Sequence, residues 1–332
     1  MAEDILPRTM QAWVCPRYGD PSVLRLERVS APQVGPQTVL VRMLATTVSS
    51  ADARIRACRL PPGIGLMGRL ALGWNGPRRA VLGSELVGEV AAVGAQVSRF
   101  TVGERVIAFP DTKLGAHAEF VAISEDGKIA PCPADLPLEQ AASLCFGGTT
   151  ALHFLRRARS ATGERLLVIG ASGAVGSAMV QLAGVIGMEV DAVCSAGNVA
   201  TVEALGADRV IDYAKTDFRR LGESWDVIAD CVAASDFCSC VPVLRPGGRY
   251  LPIAGGLLDL LALPRGGRKS IAAPVKSDAA MIAQLVDLAV AGRFAPLVGS
   301  VHTFADLPEA HRLADSGRKR GSAVVLAPPP AR

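Results

Sequence analysis

The chain is short of several things that would have settled its class early. Its eight cysteines (Cys15, Cys58, Cys132, Cys145, Cys194, Cys231, Cys238 and Cys240) include no C-x-x-C pair. In a chain of 332 residues such scatter reads as reduced thiols of a cytoplasmic protein, not a disulfide framework. No run of about 18 uncharged apolar residues exists, which excludes a transmembrane helix. The first residues, "MAEDILPRTMQAWV", carry acids and Pro7 without an apolar core, unlike a signal peptide. Charge is also sparse: 20% of residues, a formal net of +4 and no block of one sign, so no nucleic-acid footprint is visible. There is no internal repeat, and the tail "APPPAR" is expected to fray.

What is present is length for about two domains and two contrasting rhythms. From Met10 to about Asp135 the chain reads as short strands and turns. "QTVLVRMLATTV", "ELVGEVAAVGAQV", "GERVIAF" and "GAHAEFVAIS" are rich in Val, Leu and Thr and bounded by Gly or Pro. "PLEQAASLCFGGTTALHFLRRA" turns helical, with a break expected near Gly147 and Gly148. From Leu166 strands and helices alternate through "RLLVIG", "EVDAVCS", "NVATVEALG", "RVIDY", "WDVIADCV" and "GGRYLPIAG". That rhythm predicts an α/β fold with a parallel, doubly wound sheet. The segment "ADLPEAHRLADSGRKRGSAVVLA" gives an amphipathic helix and a strand expected to return to the first domain.

Gly170, Gly173 and Gly176 form G-x-x-G-x-x-G between the strand "RLLVIG" and a helix expected near Ala174. Such a turn needs positive φ, close approach to a pyrophosphate and tight helix–strand packing. The free N–H groups at the helix start then bind phosphate. The next strand ends in Cys194-Ser195-Ala196-Gly197, where an NAD enzyme usually carries an acid for the ribose. Asp191 lies four residues short of that tip. Without an acid a 2′-phosphate is not repelled: Ser195 and Asn198 are candidate hydrogen-bond donors, and Lys215, Arg318, Lys319 and Arg320 candidate charges. The cofactor read from this is NADPH, with NADH as the alternative.

At this point the chain resembles the medium-chain dehydrogenase/reductase superfamily, in its zinc-independent quinone oxidoreductase branch. The resemblance runs through "VLGSELVGEVAAVGAQVSRFTVGERVIAF", "GGTTALHFL", "GASGAVGSAMVQLA", "LGADRVIDY" and "LRPGGRYL", in order. It implies a GroES-like β domain (1–135 and 297–332), a Rossmann domain (136–296), and an active site in the cleft between them. It also implies cofactor contacts from Thr149 or Thr150, from the loop Gly170, Ala171, Ser172, Gly173, Ala174, Val175 and Gly176, and from the strand-end residues Tyr213, Cys231, Val232, Ile253 and Ala254. Zinc members of the superfamily hold metal with Cys, His and a second Cys or Asp. Here Ser49, Ser50 and Ser84 stand at the ligand positions, a cysteine-rich lobe is missing, and His117, His153, His302 and His311 form no ligand spacing. No metal is therefore expected. Asp52 and Arg54 occupy the place of the family's Asp and Lys beside the nicotinamide ribose and are the candidate catalytic pair, with a local ion pair as the structural alternative. His117 stands where the family often has Tyr, and reads as a proton donor or a buried structural histidine. The resemblance further implies a homodimer joined near "RYLPIAG" and Gly255–Leu263.

The segment from Cys58 to Ala80 is longer and more apolar than a plain connection needs. It is expected to cover the cleft, to pack on the core or a subunit, or to touch a membrane surface. Without a Lewis acid, the expected reaction is hydride transfer to an activated acceptor, a quinone or an enone. Two other readings stay open: an enone reductase of a specialised pathway, and a cofactor-binding regulatory or structural protein without turnover. The expected partner is a small lipophilic acceptor, with no nucleic acid and no membrane insertion.

Overall fold

The computed structural model describes residues 7–59 and 65–328. The first strands, β1 (Thr9–Val14) and β2 (Arg25–Ser30), form an antiparallel ribbon. β3 (Thr38–Val48) follows, and helices α1 (Ser50–Ala57) and α2 (Gly65–Leu72) lead to β4 (Leu86–Val93). β5 (Arg105–Ala108), β6 (Phe120–Ser124) and β7 (Ile129–Pro131) complete this half. β3 is rich in β-branched residues suited to a pleated, packed surface. It is the hub of the sheet, pairing antiparallel with both β4 and β6. Val39, Val41, Met43, Leu86, Val90, Val106 and Ile129 fill its core.

Two helices then cross over, α3 (Leu138–Ala142) and α4 (Leu144–Ala158). Strands and helices alternate after them: β8 (Arg165–Ile169), α5 (Ala174–Ile186), β9 (Glu189–Cys194), α6 (Val199–Ala204), β10 (Arg209–Asp212), β11 (Trp225–Asp230), α7 (Phe237–Cys240), β12 (Leu244–Pro252), α8 (Leu257–Leu260), β13 (Lys269–Ser270) and α9 (Ala279–Val290). All six strands run parallel in the order β10-β9-β8-β11-β12-β13. Side chains alternate between two cores: Leu166, Val168, Val190 and Val227 on one face, Leu167, Ile169, Val193 and Ile228 on the other. Burial on both faces is what the apolar strands predict. The strand order reverses between β8 and β11, where such sheets open a ligand crevice.

The chain then returns. β14 (Val298–Thr303), α10 (Leu307–Asp315) and β15 (Ser322–Leu326) follow, and β15 pairs antiparallel with β3, Ala323 opposite Val48 and Leu326 opposite Ala45. The helical switch breaks at Ser143, not at Gly147 and Gly148, which lie inside α4. The reason is steric. A Cβ on Gly147 would stand 2.4 Å from the Ala174 carbonyl oxygen, and one on Gly148 2.8 Å from Leu285. The glycines let α4 lie against the start of α5 and against α9. Among the described residues no helix is long and apolar enough to cross a membrane. The first six residues and residues 329–332 of the expected frayed tail lie outside the described part.

Candidate active site

The glycine loop sits at the crevice. Gly170 follows β8 with φ +81°, and a Cβ on Gly176 would meet the Gly170 carbonyl oxygen at 2.2 Å. Gly173 has nothing closer than 3.5 Å to its missing Cβ, so its smallness leaves an open approach. α5 begins at Ala174 with no side-chain cap on Gly173. The N–H groups of Ala174, Val175 and Gly176 therefore have no intrahelical acceptor and point along the positive end of the helix dipole. This cradle fits the pyrophosphate of a dinucleotide. Ala171 is fully buried beneath the loop, its N–H on the Val193 carbonyl.

At the neighbouring strand tip, Asn198 donates to Ser172 Oγ (3.1 Å) and to Ser195 Oγ (3.0 Å), gathering three polar side chains. The Tyr213 N–H donates to the Cys194 carbonyl, which sets Tyr213 and the exposed Lys215 just past β10. Asp191 is buried and committed to Arg165 (3.0 Å), Arg209 (2.9 Å) and Trp225 Nε1 (2.7 Å), away from this tip. Beyond the switch point, Asp230 at the end of β11 accepts from the N–H groups of Val232 (2.9 Å), Ala234 (3.3 Å) and Ser235 (2.7 Å) and from the Tyr250 hydroxyl (3.2 Å). It thereby shapes the loop carrying Cys231 and Val232. Its carbonyl takes the N–H groups of Ile253 and Ala254, holding the end of β12 behind that loop.

A cavity of about 370 Å³ lies between this loop, the glycine loop and the β domain, which contributes Ser50, Ala53, Arg54 and Lys319; Phe146 comes from α4. The return segment is fixed across the cleft by a Gly321 N–H bond to the Ser172 carbonyl (2.8 Å). Of the candidate catalytic pair, Arg54 lines the cavity and is exposed, and Asp52 does not line it. Asp52 is fully buried: Oδ2 takes the Ser49 N–H (2.8 Å) and hydroxyl (2.6 Å), and Oδ1 takes the Gly83 N–H (3.1 Å). It closes the capping box on α1 at the third helical position, so its oxygens are spent on that cap and on Gly83, and among the described residues it makes no ion pair with Arg54. Thr150 donates to the Phe146 carbonyl, and the Thr149 hydroxyl is buried without a partner; neither lines the cavity. Arg318 is exposed. Lys319, a candidate for a 2′-phosphate, instead donates to the Gly321 carbonyl and sits within the fields of Glu85 and Asp52.

The positions of a family metal do not fit one. Ser49 is spent as a helix cap, Ser84 Oγ is a buried neutral hydroxyl without a partner, and zinc wants nitrogen or thiolate donors. Among the described residues no three His, Cys, Asp or Glu side chains are placed to hold a metal ion together. Beside Ser84, Glu85 is buried and accepts from Thr47 Oγ1 (2.6 Å) and the Phe146 N–H (2.7 Å); burial pushes its carboxyl up to about 7. His117 is buried, donating Nε2–H to the Thr47 carbonyl (3.0 Å), and burial holds it neutral.

Residue reading missed Glu85, Asp230 and a buried staple in which Arg56 bonds Gly19, His311 and Asp315. The "SSAD" sequence carried the S-x-x-acid signature of the α1 cap, but Arg56 and Asp315 carry no local signal of their meeting. Of the long Cys58–Ala80 segment, residues 60–64 lie outside the described part. From Met67 to Ala80 none of the described residues lines the cavity. Tyr18 bonds the Gly73 carbonyl (2.8 Å), tying that stretch to the β domain, with Met67, Leu70 and Trp74 exposed.

Residues 35–148 match the alcohol dehydrogenase GroES-like domain and residues 205–325 the zinc-binding dehydrogenase domain. Among curated proteins, the chain is 28% identical to a 2-methylene-furan-3-one reductase of Solanum lycopersicum, over 96% of this chain and 80% of that one. It is 28% identical to a quinone oxidoreductase of Pseudomonas aeruginosa, over 93% and 97% of the two chains. The quinone oxidoreductase structure from Coxiella burnetii superposes with a TM-score of 0.82 at 24% identity, over 96% of this chain and 99% of that one. The fold and the site define a nicotinamide-dependent oxidoreductase. The chain belongs to the medium-chain dehydrogenase/reductase superfamily, in its quinone oxidoreductase-like branch.

Proposed function

We propose that the protein is an NADPH-dependent reductase of quinones or α,β-unsaturated carbonyl compounds that works without a metal. The carrying observation is the cleft: a cavity at the strand-order reversal, walled opposite the glycine loop by Ser50, Ala53 and Phe146, with Ser84 where a metal ligand would stand. A reduced nicotinamide, when bound, supplies hydride. The chain's own part is placement. The N–H groups at the start of α5 hold the phosphates, and Ser172, Ser195 and Asn198 receive the adenosine ribose. Asp230 stiffens the loop that closes one wall, and Phe146 keeps water from the other. Flat, lipophilic acceptors suit such a site. We assign residues 1–135 and 297–332 to the catalytic β domain and 136–296 to the cofactor domain. All eight cysteines are free, which suits a reducing compartment, the cytoplasm in this reading, and the assembly is a homodimer.

A panel of quinones, 2-alkenals, enones and simple alcohols, run beside NADPH binding, tests this. Quinones or enones should be reduced, with or without EDTA. Faster oxidation of ethanol-like alcohols, or one zinc per purified chain, would overturn it. Binding without consumption would make the protein a cofactor-dependent regulator instead. A charge-assisted phosphate contact contributes about 1.5–3 kcal/mol, and Gly197 has no charged side chain to make one, so NADPH should bind better than NADH by a modest margin, short of the roughly ten- to a hundredfold such a contact gives. Lys215→Ala should narrow that margin; a wild-type preference for NADH ends this part of the reading.

A further inference from the structure

Lys319 is the cleft residue with the least explained surroundings. It lies between α10 and β15, on the segment pinned to the glycine loop through Gly321 and Ser172. From that fixed backbone its side chain reaches the cavity that Phe146, Gly173 and Val232 also line. Its ammonium donates to the Gly321 carbonyl, which leaves two of its three N–H bonds for another acceptor. Among the described residues it has no carboxylate partner at ion-pair distance.

The charged groups around it are otherwise occupied. Glu85, at the mouth of β4, serves Thr47 and Phe146, and Asp52 of α1 serves Ser49 and Gly83. Asp315, at the end of α10, is shared by Arg56 and Arg59. Arg54 is exposed at the rim and keeps its water. Cys231, on the far wall, is a neutral thiol whose burial pushes its pKa up. Lys319 is thus the half-buried cation that these contacts leave free, facing the space where an acceptor would lie. Burial brings it down to about 8 despite the opposing fields of Glu85 and Asp52, close to where a general acid works well.

Resting on the reading of this protein as a quinone or enone reductase, we propose that Lys319 holds the acceptor's carbonyl oxygen and protonates it. As hydride adds to the conjugated carbon, the π pair moves to the oxygen. One N–H bond of the ammonium breaks and an O–H bond forms, giving the enol; a quinone gives the corresponding keto tautomer, which becomes the hydroquinone as its new ring C–H carbon loses a proton to water and its second oxygen gains one. The neutral amine left behind regains its proton from water at the cleft mouth.

Lys319→Met should lower kcat for 2-cyclohexenone roughly 100- to 1000-fold while NADPH affinity changes by less than about threefold. Wild-type kcat should fall as pH rises through about 8. Lys319→Met should lack that limb. Lys319→Arg should restore part of kcat with the limb displaced upward, since guanidinium stays charged past about pH 12. A loss of NADPH affinity with kcat unchanged would make Lys319 a phosphate ligand and overturn the proposal, as would an alkaline limb persisting in Lys319→Met. A second measurement needs no turnover. Trace acetylation read by mass spectrometry, with NADP⁺ bound, should show Lys319 further protected when 2-cyclohexenone is added; no added protection also overturns it. If the wild type reduces nothing in the panel, the functional reading fails, and the acetylation result still decides whether Lys319 meets the carbonyl.

Discussion

Ala233 holds a left-handed backbone, φ +58°, inside the loop that Asp230 organises. A Cβ there costs about 1–2 kcal/mol, partly offset by the lower unfolded-state entropy of alanine. Ala233→Gly should therefore raise stability by about 0.5–1 kcal/mol in urea unfolding; an unchanged or lower midpoint would show that neighbours impose no strain. Glu85 gives a pH signature. Burial raises its folded pKa from 4.5 to about 7, so the folded state binds more protons than the unfolded one between those values. Its contribution is complete below 4.5 and lost as pH rises to 7, on the order of 3 kcal/mol. His117 and His311, held neutral by burial, act oppositely: their contribution is lost as pH falls below about 6.5. Glu85→Gln should remove the first trend and leave the second. Equal changes in urea midpoint from pH 5 to pH 8 in both proteins would rule out the buried carboxyl as the source. Single residues like these were the least legible in sequence. Asp52 sits in a motif whose family role faces the cleft, yet here its oxygens are consumed by a cap and a backbone N–H, and which way a short acid turns is set by the donors the fold brings to it.

At the scale of elements, the glycines separate into two kinds. Gly176 is forced by packing, since any Cβ strikes the Gly170 carbonyl, whereas Gly173 leaves space that only a ligand would fill. Gly176→Ala should lower both stability and NADPH binding. Gly173→Ala should leave the thermal midpoint nearly unchanged and still weaken NADPH binding; if it binds normally, the phosphates do not approach over that residue. The β8–α5 loop was readable because strand, glycines and helix are adjacent and their constraint is local. The two glycines of α4 misled for a related reason. Glycine weakens a helix by about 1 kcal/mol relative to alanine, but the approach of α5 and α9 overrides that propensity, and those contacts come from distant sequence.

Over the whole molecule, alternating apolar strands disclosed the parallel sheet because burial on both faces leaves its mark on every strand. The staple of Arg56, His311 and Asp315 left none, since Arg56 lies more than 250 residues from the other two and each is ordinary where it stands. The assembly is the remaining property of this scale. β13 is only two residues long and closes the edge of the six-stranded sheet. Between β12 and β13, Leu260, Leu261 and Leu263 are 51%, 66% and 78% exposed. A sheet edge flanked by bare leucines invites pairing, and burying each in a partner would contribute about 1.5–3 kcal/mol. A second copy related by twofold symmetry would cover the same leucines on both sheets at once and leave no open edge to propagate. Light scattering at micromolar concentration should give a dimer. Replacing Leu261→Lys together with Leu263→Lys should yield a monomer that still binds NADPH, because neither residue lines the cleft. A monomeric wild type, or a variant that stays dimeric, would move the interface away from this edge.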